Sequence, residues 1–209
     1  MKLRVLTFAP LLAAAIFACT VAHADTISGS VWEHQASSGT LAAPVGTATS
    51  TFTTSNLSYS SPSSAYTIGG FLGAGTTLAN ASVASHNLND TIFDFTGSTF
   101  LTHGTTYHFT HDDGMYLFIN SNYSHIGDHV GEVLNSGAPT SPRLDTFTWT
   151  GVTGSAHFDL LYAEIAGAPA QLNSPDFPVT AITPEPSSIA LLGTGLLGLA
   201  GMVRRRVRA

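Results

Sequence analysis

Basic residues are nearly absent from the middle of this chain. Of the seven Lys and Arg in 209 residues, only Arg143 lies between Asp25 and Ile182, whereas twelve of the thirteen Asp and Glu lie there. One positive and twelve negative charges give this stretch a formal charge of −11. A surface this acidic disfavours nucleic acid and anionic lipid as partners and suits cations and neutral sugars.

Cysteine is also scarce, because Cys19 is the only one in the chain. It lies in an N-terminal segment that has a short positive end, an apolar run from Val5 to Ala18, and the small residues Ala22 and Ala24 before a cleavage point. Residues 1–24 are therefore predicted to be a signal peptide. After cleavage, the mature chain has no disulfide and depends on its core or on a bound metal.

Lipoprotein processing at Cys19 is the alternative for this segment. Ile16-Phe17-Ala18-Cys19 has the outline of a lipobox, although Phe17 is bulkier than that motif usually accepts. The two forms of processing predict different N-termini for the exported protein.

The C-terminal segment combines three features in order. Pro184-Glu185-Pro186 precedes an apolar run of 17 residues, Ser187 to Val203, and Arg204, Arg205 and Arg206 follow it. The run is just long enough to span a bilayer, and the arginines favour a cytoplasmic C-terminus. The set closely resembles the PEP-CTERM sorting signal, and we assign residues 183–209 to it. The resemblance implies a transient inner-membrane anchor, removal of the tail by an exosortase, and release to the surface or exopolysaccharide matrix of a Gram-negative bacterium.

Between these signals, residues 25–182 are predicted to form one all-β domain, an antiparallel β-sandwich. Thr, Ser, Gly, Val and aromatic residues dominate, and short apolar segments recur between turn residues. Residues 55–64 and 73–89 are predicted to be loops. The predicted strands are Thr26–Glu33, Ser50–Thr54, Tyr66–Leu72, Thr91–Phe95, Thr105–Thr110, Met115–Asn120, Arg143–Thr150 and Ala156–Glu164.

The candidate functional site is the pair of adjacent carboxylates Asp112 and Asp113. They precede Gly114 and the apolar segment Met115 to Ile119, which reads as a buried strand. Neighbouring anions repel, so such a pair needs a cation, backbone N–H donors or solvent to receive it.

The residues around this pair resemble a known family. Gly104 to Phe109, Asp112 to Asn120 and Gly154 to Glu164 look like consecutive core motifs of the anthrax protective-antigen-type β-sandwich. That family includes flocculin and adhesin lectins and modules attached to glycosidases. In the lectins, two adjacent aspartates on a cis peptide bind Ca²⁺, which in turn binds sugar hydroxyls.

The resemblance implies that Asp112 and Asp113 are calcium ligands. A non-proline cis bond costs about 3–4 kcal/mol, which a hard cation held by two carboxylates can offset. The lectins place an asparagine after the last of these strands, and this chain has none there, so Glu164 or a backbone carbonyl would substitute. Asp128 is a weaker candidate.

Three other interpretations of the acidic and histidine residues remain open. The aspartates could bind no metal and instead accept N–H bonds that shape a turn. A glycosidase would need two carboxylates about 5–9 Å apart across one bond, which the sequence does not indicate. A zinc or copper site is the third interpretation, drawn from five closely spaced histidines: His103, His108, His111, His125 and His129.

The sequence thus predicts an exported, non-catalytic protein that binds carbohydrate with the help of calcium. The alternative is a structural protein of the exopolysaccharide matrix without a specific ligand, and a carbohydrate-active enzyme is a third possibility. The predicted partners are the exosortase, a polysaccharide and, before processing, the membrane.

Overall fold

The computed structural model describes residues 26–37, 39, 41–138, 141–165 and 167–179. The predicted signal peptide with Ala22 and Ala24, the Pro-Glu-Pro motif, the C-terminal helix and the arginine cluster all lie outside these residues. No helix among the described residues is long and apolar enough to cross a membrane.

Eleven strands and one short α-helix make up the regular structure of the described part. Three-residue or five-residue 3₁₀-helices occur at Ser63–Ala65, Ala81–Ser85 and Tyr123–His125. In chain order the other elements are β1 (Ile27–Trp32), β2 (Ser50–Thr54), β3 (Ser58–Ser61), α1 (Ile68–Leu72), β4 (Thr77–Leu78), β5 (Thr91–Leu101), β6 (Thr106–His111), β7 (Met115–Ile119), β8 (Glu132–Ser136), β9 (Arg143–Thr148), β10 (Gly154–Glu164) and β11 (Ala170–Asn173).

The strands form two antiparallel sheets. The large sheet has the order β4-β2-β1-β5-β10-β7-β8, and the small sheet has the order β3-β11-β6-β9. Strand β10 is central to the large sheet and pairs along its whole length with β5 and along part of it with β7. The predicted antiparallel β-sandwich is confirmed.

Aromatic side chains fill the space between the two sheets. Phe95 and Phe158 of the large sheet face inward, as do Phe109 and Phe147 of the small sheet. Phe177, beyond β11, contacts both layers, because its ring lies 5.2 Å from that of Phe109 and 5.4 Å from that of Phe158. Each such side chain contributes about 1.5–3 kcal/mol when fully buried.

The outer face of the large sheet is covered as well. Because side chains alternate along a strand, Leu161 and Ala163 of β10 face away from the main core. They pack in a second cluster with Trp32, Tyr116 and Phe118. Tyr123, from the 3₁₀-helix after β7, packs against this cluster.

The prediction of a strand at Tyr66–Leu72 is wrong, since this segment forms α1. The Thr67 hydroxyl caps the helix by accepting a 3.0 Å hydrogen bond from the Gly70 N–H. Ile68, Phe71 and Leu72 are buried on one side, which is helical spacing. A Cβ on Gly69 would lie 2.8 Å from the Ala84 carbonyl oxygen, so glycine lets α1 pack directly on the neighbouring 3₁₀-helix.

Four strands were not predicted, and two of them lie in segments predicted as loops. Strand β3 falls within residues 55–64 and β4 within residues 73–89. Strands β8 and β11 are five and four residues long and lie among turn residues. They are too short to show a clear alternation of apolar and polar residues.

Candidate functional site

The Asp112-Asp113-Gly114 segment is the corner at which the chain crosses from one sheet to the other. It links β6 of the small sheet to β7 of the large sheet. The Asp112 N–H donates to the Gln171 carbonyl of β11 at 2.9 Å, and the Ala163 N–H of β10 donates to the Gly114 carbonyl at 2.8 Å. The two sheets therefore hold the corner from both sides.

Glu164 ends strand β10 beside this corner. The Asp113 carboxylate accepts a hydrogen bond from the N–H of Ile165, the residue after Glu164, and it lies close enough for its charge to raise the pKa of the Glu164 carboxyl. Asp113 and Glu164, far apart in sequence, are thus neighbours, and Asp112 adjoins Asp113 in the chain; these three residues are called the acidic cluster below. Asp112, Asp113 and Glu164 are 6%, 1% and 0% exposed.

Two tyrosines complete the cluster. The Tyr162 hydroxyl donates to Glu164 Oε2 at 2.9 Å, and the Tyr66 hydroxyl lies 2.7 Å from Glu164 Oε1 and 2.8 Å from Asn89 Oδ1. Each carboxylate oxygen of Glu164 accepts one hydrogen bond and keeps a second lone pair. Glu164 is therefore oriented by both hydroxyls and can still ligate a cation.

Burial and the neighbouring charge of Asp113 favour the neutral forms of Asp112 and Glu164. Burial is the largest cause that raises the pKa of Asp112 to about 6, the charge of Asp113 adds to it, and His111 opposes it. Burial likewise raises the pKa of Glu164 to about 8; Asp113 raises it further, whereas the hydrogen bonds from Tyr66 and Tyr162 lower it. A cation with strong preference for oxygen would relieve both effects.

His111 supports the corner from the small sheet. The ring is 0% exposed and lies between two acceptors, with Nδ1 2.8 Å from the Asp113 carbonyl oxygen and Nε2 2.9 Å from Asp145 Oδ2. When both nitrogens donate, the ring carries a positive charge. Asp145 is held in turn by Arg143, whose Nε donates to Asp145 Oδ1 at 2.9 Å.

The backbone of the corner differs from what the lectin resemblance implies. Among the described residues the cis peptide bond is Ala168–Pro169, so the Asp112–Asp113 bond is trans and the expectation of a cis bond is wrong. Within the described ranges no group of three or more His, Cys, Asp or Glu side chains is arranged to hold a metal ion. Calcium ligation by Asp112, Asp113 and Glu164 stays a prediction.

Asp128 lies away from the acidic corner, and among the described residues the closely spaced histidines, of which His111 alone was placed at the corner above, form no group that could hold a metal ion. The side chain of Asp128 is 60% exposed and pairs with His125. Four more histidines each pair with a separate carboxylate, and the partners are His86 with Glu33, His108 with Asp176, His111 with Asp145, and His129 with Glu132. Histidine takes the place of the missing Lys and Arg as the partner of these acids.

Sequence reasoning missed the second carboxyl pair of the domain, Asp94 and Asp159. Asp94 of β5 and Asp159 of β10 lie on the outer face of the large sheet as diagonal neighbours, and burial together with the charge of Asp159 raises the pKa of Asp94 to about 8. In the sequence, each of these two aspartates is a single acidic residue with apolar residues on both sides, so neither indicates a site by itself. Predicting this pair would require the register of β5 against β10, and the sequence alone does not reveal that register.

Comparisons with known proteins test the predicted sorting segment and the predicted fold. Residues 183–206 match the profile of the PEP-CTERM protein-sorting motif, which confirms the predicted sorting segment. No curated protein matches the chain.

Solved structures resemble the described domain in fold. A PA14 sugar-binding domain from an RTX adhesin is 21% identical, with 73% of this chain and 91% of that chain covered and a TM-score of 0.52. The PA14 domain of the MpAFP antifreeze protein is 20% identical, with 74% and 87% covered and a TM-score of 0.48. The first of these supports the protective-antigen-type sandwich predicted from the sequence motifs, and that fold is confirmed.

Proposed function

We propose that this is an exported, non-catalytic carbohydrate-binding protein, and that its acidic corner, Asp112, Asp113 and Glu164, binds Ca²⁺ for that purpose. The observation that supports the proposal is the burial of three acids at one corner of the sandwich, where Asp113 and Glu164 are neighbours and Asp112 precedes Asp113 in the chain. Lys and Arg do not contact the cluster among the described residues; the nearest basic group is His111.

The donor set suits a hard cation. Carboxylates and carbonyl oxygens are the ligands that calcium takes in proteins, and it accepts six to eight of them in flexible geometry. The backbone of Asp112 is bonded to β11 of the small sheet, and the Asp113 carboxylate is bonded to the Ile165 N–H just after β10 of the large sheet. Calcium would supply a positive centre for sugar hydroxyls, and its charge would favour the ionised forms of Asp112 and Glu164.

Export and sorting fit this role. The signal peptide would direct the chain out of the cytoplasm of a Gram-negative cell, and the C-terminal helix would hold it in the inner membrane until an exosortase removes the tail. The released domain would then meet extracellular calcium and the polysaccharides of the cell surface or matrix.

A matrix-structural role without a ligand is the second candidate, and one observation favours it. The Ile165 N–H, the Tyr162 hydroxyl and the Tyr66 hydroxyl already bond to the carboxylates of Asp113 and Glu164. Such bonds alone could shape the corner.

Glycan binding in calcium and in EDTA separates the two candidates. The full chain, purified in a detergent without a sugar head group, is applied to an array of bacterial and plant polysaccharides. The proposal predicts binding in 2 mM calcium that is lost in EDTA and in the double variant Asp112→Asn, Asp113→Asn. Asp128→Asn is the matched control, because Asp128 is exposed and outside the cluster. If none of the three proteins binds a glycan in calcium or in EDTA, the structural role is favoured.

A further inference from the structure

A cavity of about 450 Å³ opens on the outer face of the large sheet, away from the acidic corner. This volume lies within the range of small-molecule sites. Its floor belongs to β10, five residues before Glu164 and on the opposite face of the strand, which places it about 17 Å along the strand from the corner. The lining residues are Asp94, Thr96, Asn122, Tyr123, Ser124, His157 and Asp159.

The floor of the cavity is the carboxyl pair Asp94 and Asp159. Thr96 is the direct partner of Asp159 across the strands, so Asp94 and Asp159 are diagonal neighbours on one face. They are 7% and 1% exposed, and each is close enough to the other for their charges to interact. Asp159 Oδ2 also accepts a 3.3 Å hydrogen bond from the Tyr123 N–H. Oδ1 of each carboxyl is buried without a hydrogen-bond partner among the described residues.

Hydrogen-bond donors form the rim. Asn122 uses its amide oxygen to cap the 3₁₀-helix, accepting from the Ser124 N–H at 2.9 Å, which directs its NH₂ group elsewhere. The Tyr123 ring is fixed edge-on against Trp32, with centroids 6.4 Å apart. The Tyr123 hydroxyl, the Asn122 NH₂ group and the His157 ring make no hydrogen bond within the described part of the chain.

The mixture of groups decides the class of ligand. A cation needs acceptors only, and this cavity has two carboxylates with several donors around them. A hydroxyl group both donates and accepts, so a compound with neighbouring hydroxyls matches acceptors at the floor and donors at the rim. A hydrogen bond to an ionised carboxylate is stronger than one between neutral groups, so ligand hydroxyls would bind most tightly to the two acids at the floor of the cavity.

We propose that this cavity binds one neutral saccharide unit, with Asp94 and Asp159 accepting from its hydroxyls and with Asn122, Tyr123 and His157 donating to them. The site needs no metal. It extends the proposed carbohydrate binding to a second face of the sandwich, but it does not depend on calcium at the acidic corner.

Ligand-observed NMR on the full chain in a detergent without sugar head groups tests the proposal. The probes are the methyl glycosides of glucose, galactose, mannose, xylose and N-acetylglucosamine, each at 20 mM in EDTA, so that a calcium-dependent site is silent. We expect saturation transfer to at least one glycoside, and a loss of fivefold or more in affinity in His157→Ala and in Tyr123→Phe. His157 is exposed and Tyr123→Phe keeps the ring, so both variants should fold.

Two controls separate this site from the corner. His108→Ala removes a comparable exposed histidine from the small sheet and should leave the signal unchanged. Asp112→Asn, Asp113→Asn should also leave it unchanged, so calcium-dependent binding can fail while this binding survives. No transfer from any of the five glycosides overturns the proposal. A signal that is insensitive to His157→Ala and Tyr123→Phe also overturns it. Saturation transfer that is absent in EDTA and appears only when calcium is added overturns it as well.

Discussion

Replacing Glu164 by glutamine should make the calcium-free protein more stable in alkaline solution and leave it unchanged in acid. Glutamine has nearly the same shape; its amide oxygen can accept from one of the two tyrosine hydroxyls, and its NH₂ group can donate to the oxygen of the other. It removes only the charge that wild-type Glu164 acquires as the pH rises. Glu164 is completely buried, so that charge is costly.

The magnitude follows from proton linkage. Folding raises the pKa of Glu164 from 4.5 to about 8. The native state then holds a proton that the unfolded chain releases, so this stability is complete below about pH 4.5 and is lost as the pH rises through about 8. The loss approaches 1.36 kcal/mol per pH unit within this window. Allowing for solvent screening, we expect Glu164→Gln to exceed wild type by about 2–5 kcal/mol at pH 9 and to match it at pH 4.5.

Urea unfolding in EDTA, followed by tryptophan fluorescence between pH 4.5 and 9, measures this difference. Trp32 is buried and Trp149 is half-buried, so both report on unfolding. Asp128→Asn is the matched control and should follow wild type within about 0.5 kcal/mol, as expected for a surface change. If Glu164→Gln and wild type lose stability in parallel from pH 4.5 to pH 9, the account of Glu164 as a buried proton-binding acid is wrong.

Three further predictions concern other parts of the molecule. Phe71→Ala should cost about 3–5 kcal/mol in urea unfolding, because the Phe71 ring is buried against Tyr59 and Tyr162; a cost below 1 kcal/mol would contradict the packing of α1. Asp94→Asn should raise the unfolding midpoint at pH 9 but not at pH 4.5, because burial and Asp159 raise the pKa of Asp94 to about 8; an equal change at both pH values would refute the raised pKa of Asp94. Expression with and without an exosortase should give products that differ in mass by the tail beyond the Pro-Glu-Pro motif, and a membrane-held product of the same mass in both strains would refute sorting.

The sequence allowed the acidic corner to be predicted because its parts are local or follow a known motif. Asp112, Asp113 and Gly114 are adjacent, and Glu164 ends a strand with clear alternation. The partners of Glu164 could not be predicted in the same way. Tyr66 lies 98 residues away, next to a helix whose sequence reads as a strand.

The carboxyl pair on the outer face of the large sheet could not be predicted, because it depends on the register of two neighbouring strands. Asp94 and Asp159 meet only because Thr96 is placed opposite Asp159 when β10 pairs with β5. A shift of one residue would turn one of the two acids into the core. Sequence alternation shows which face a residue takes but not which neighbour it meets.

A calcium titration of thermal unfolding tests the central claim most directly. The full chain and its Asp112→Asn, Asp113→Asn variant are unfolded in EDTA and in rising calcium. The account predicts that calcium at about 100 times its Kd stabilises the wild type by about 2.7 kcal/mol and leaves the variant unchanged. An equal response of the two proteins, or no response in either, would contradict calcium binding at the acidic corner and would leave Asp112 and Asp113 as residues that shape the turn.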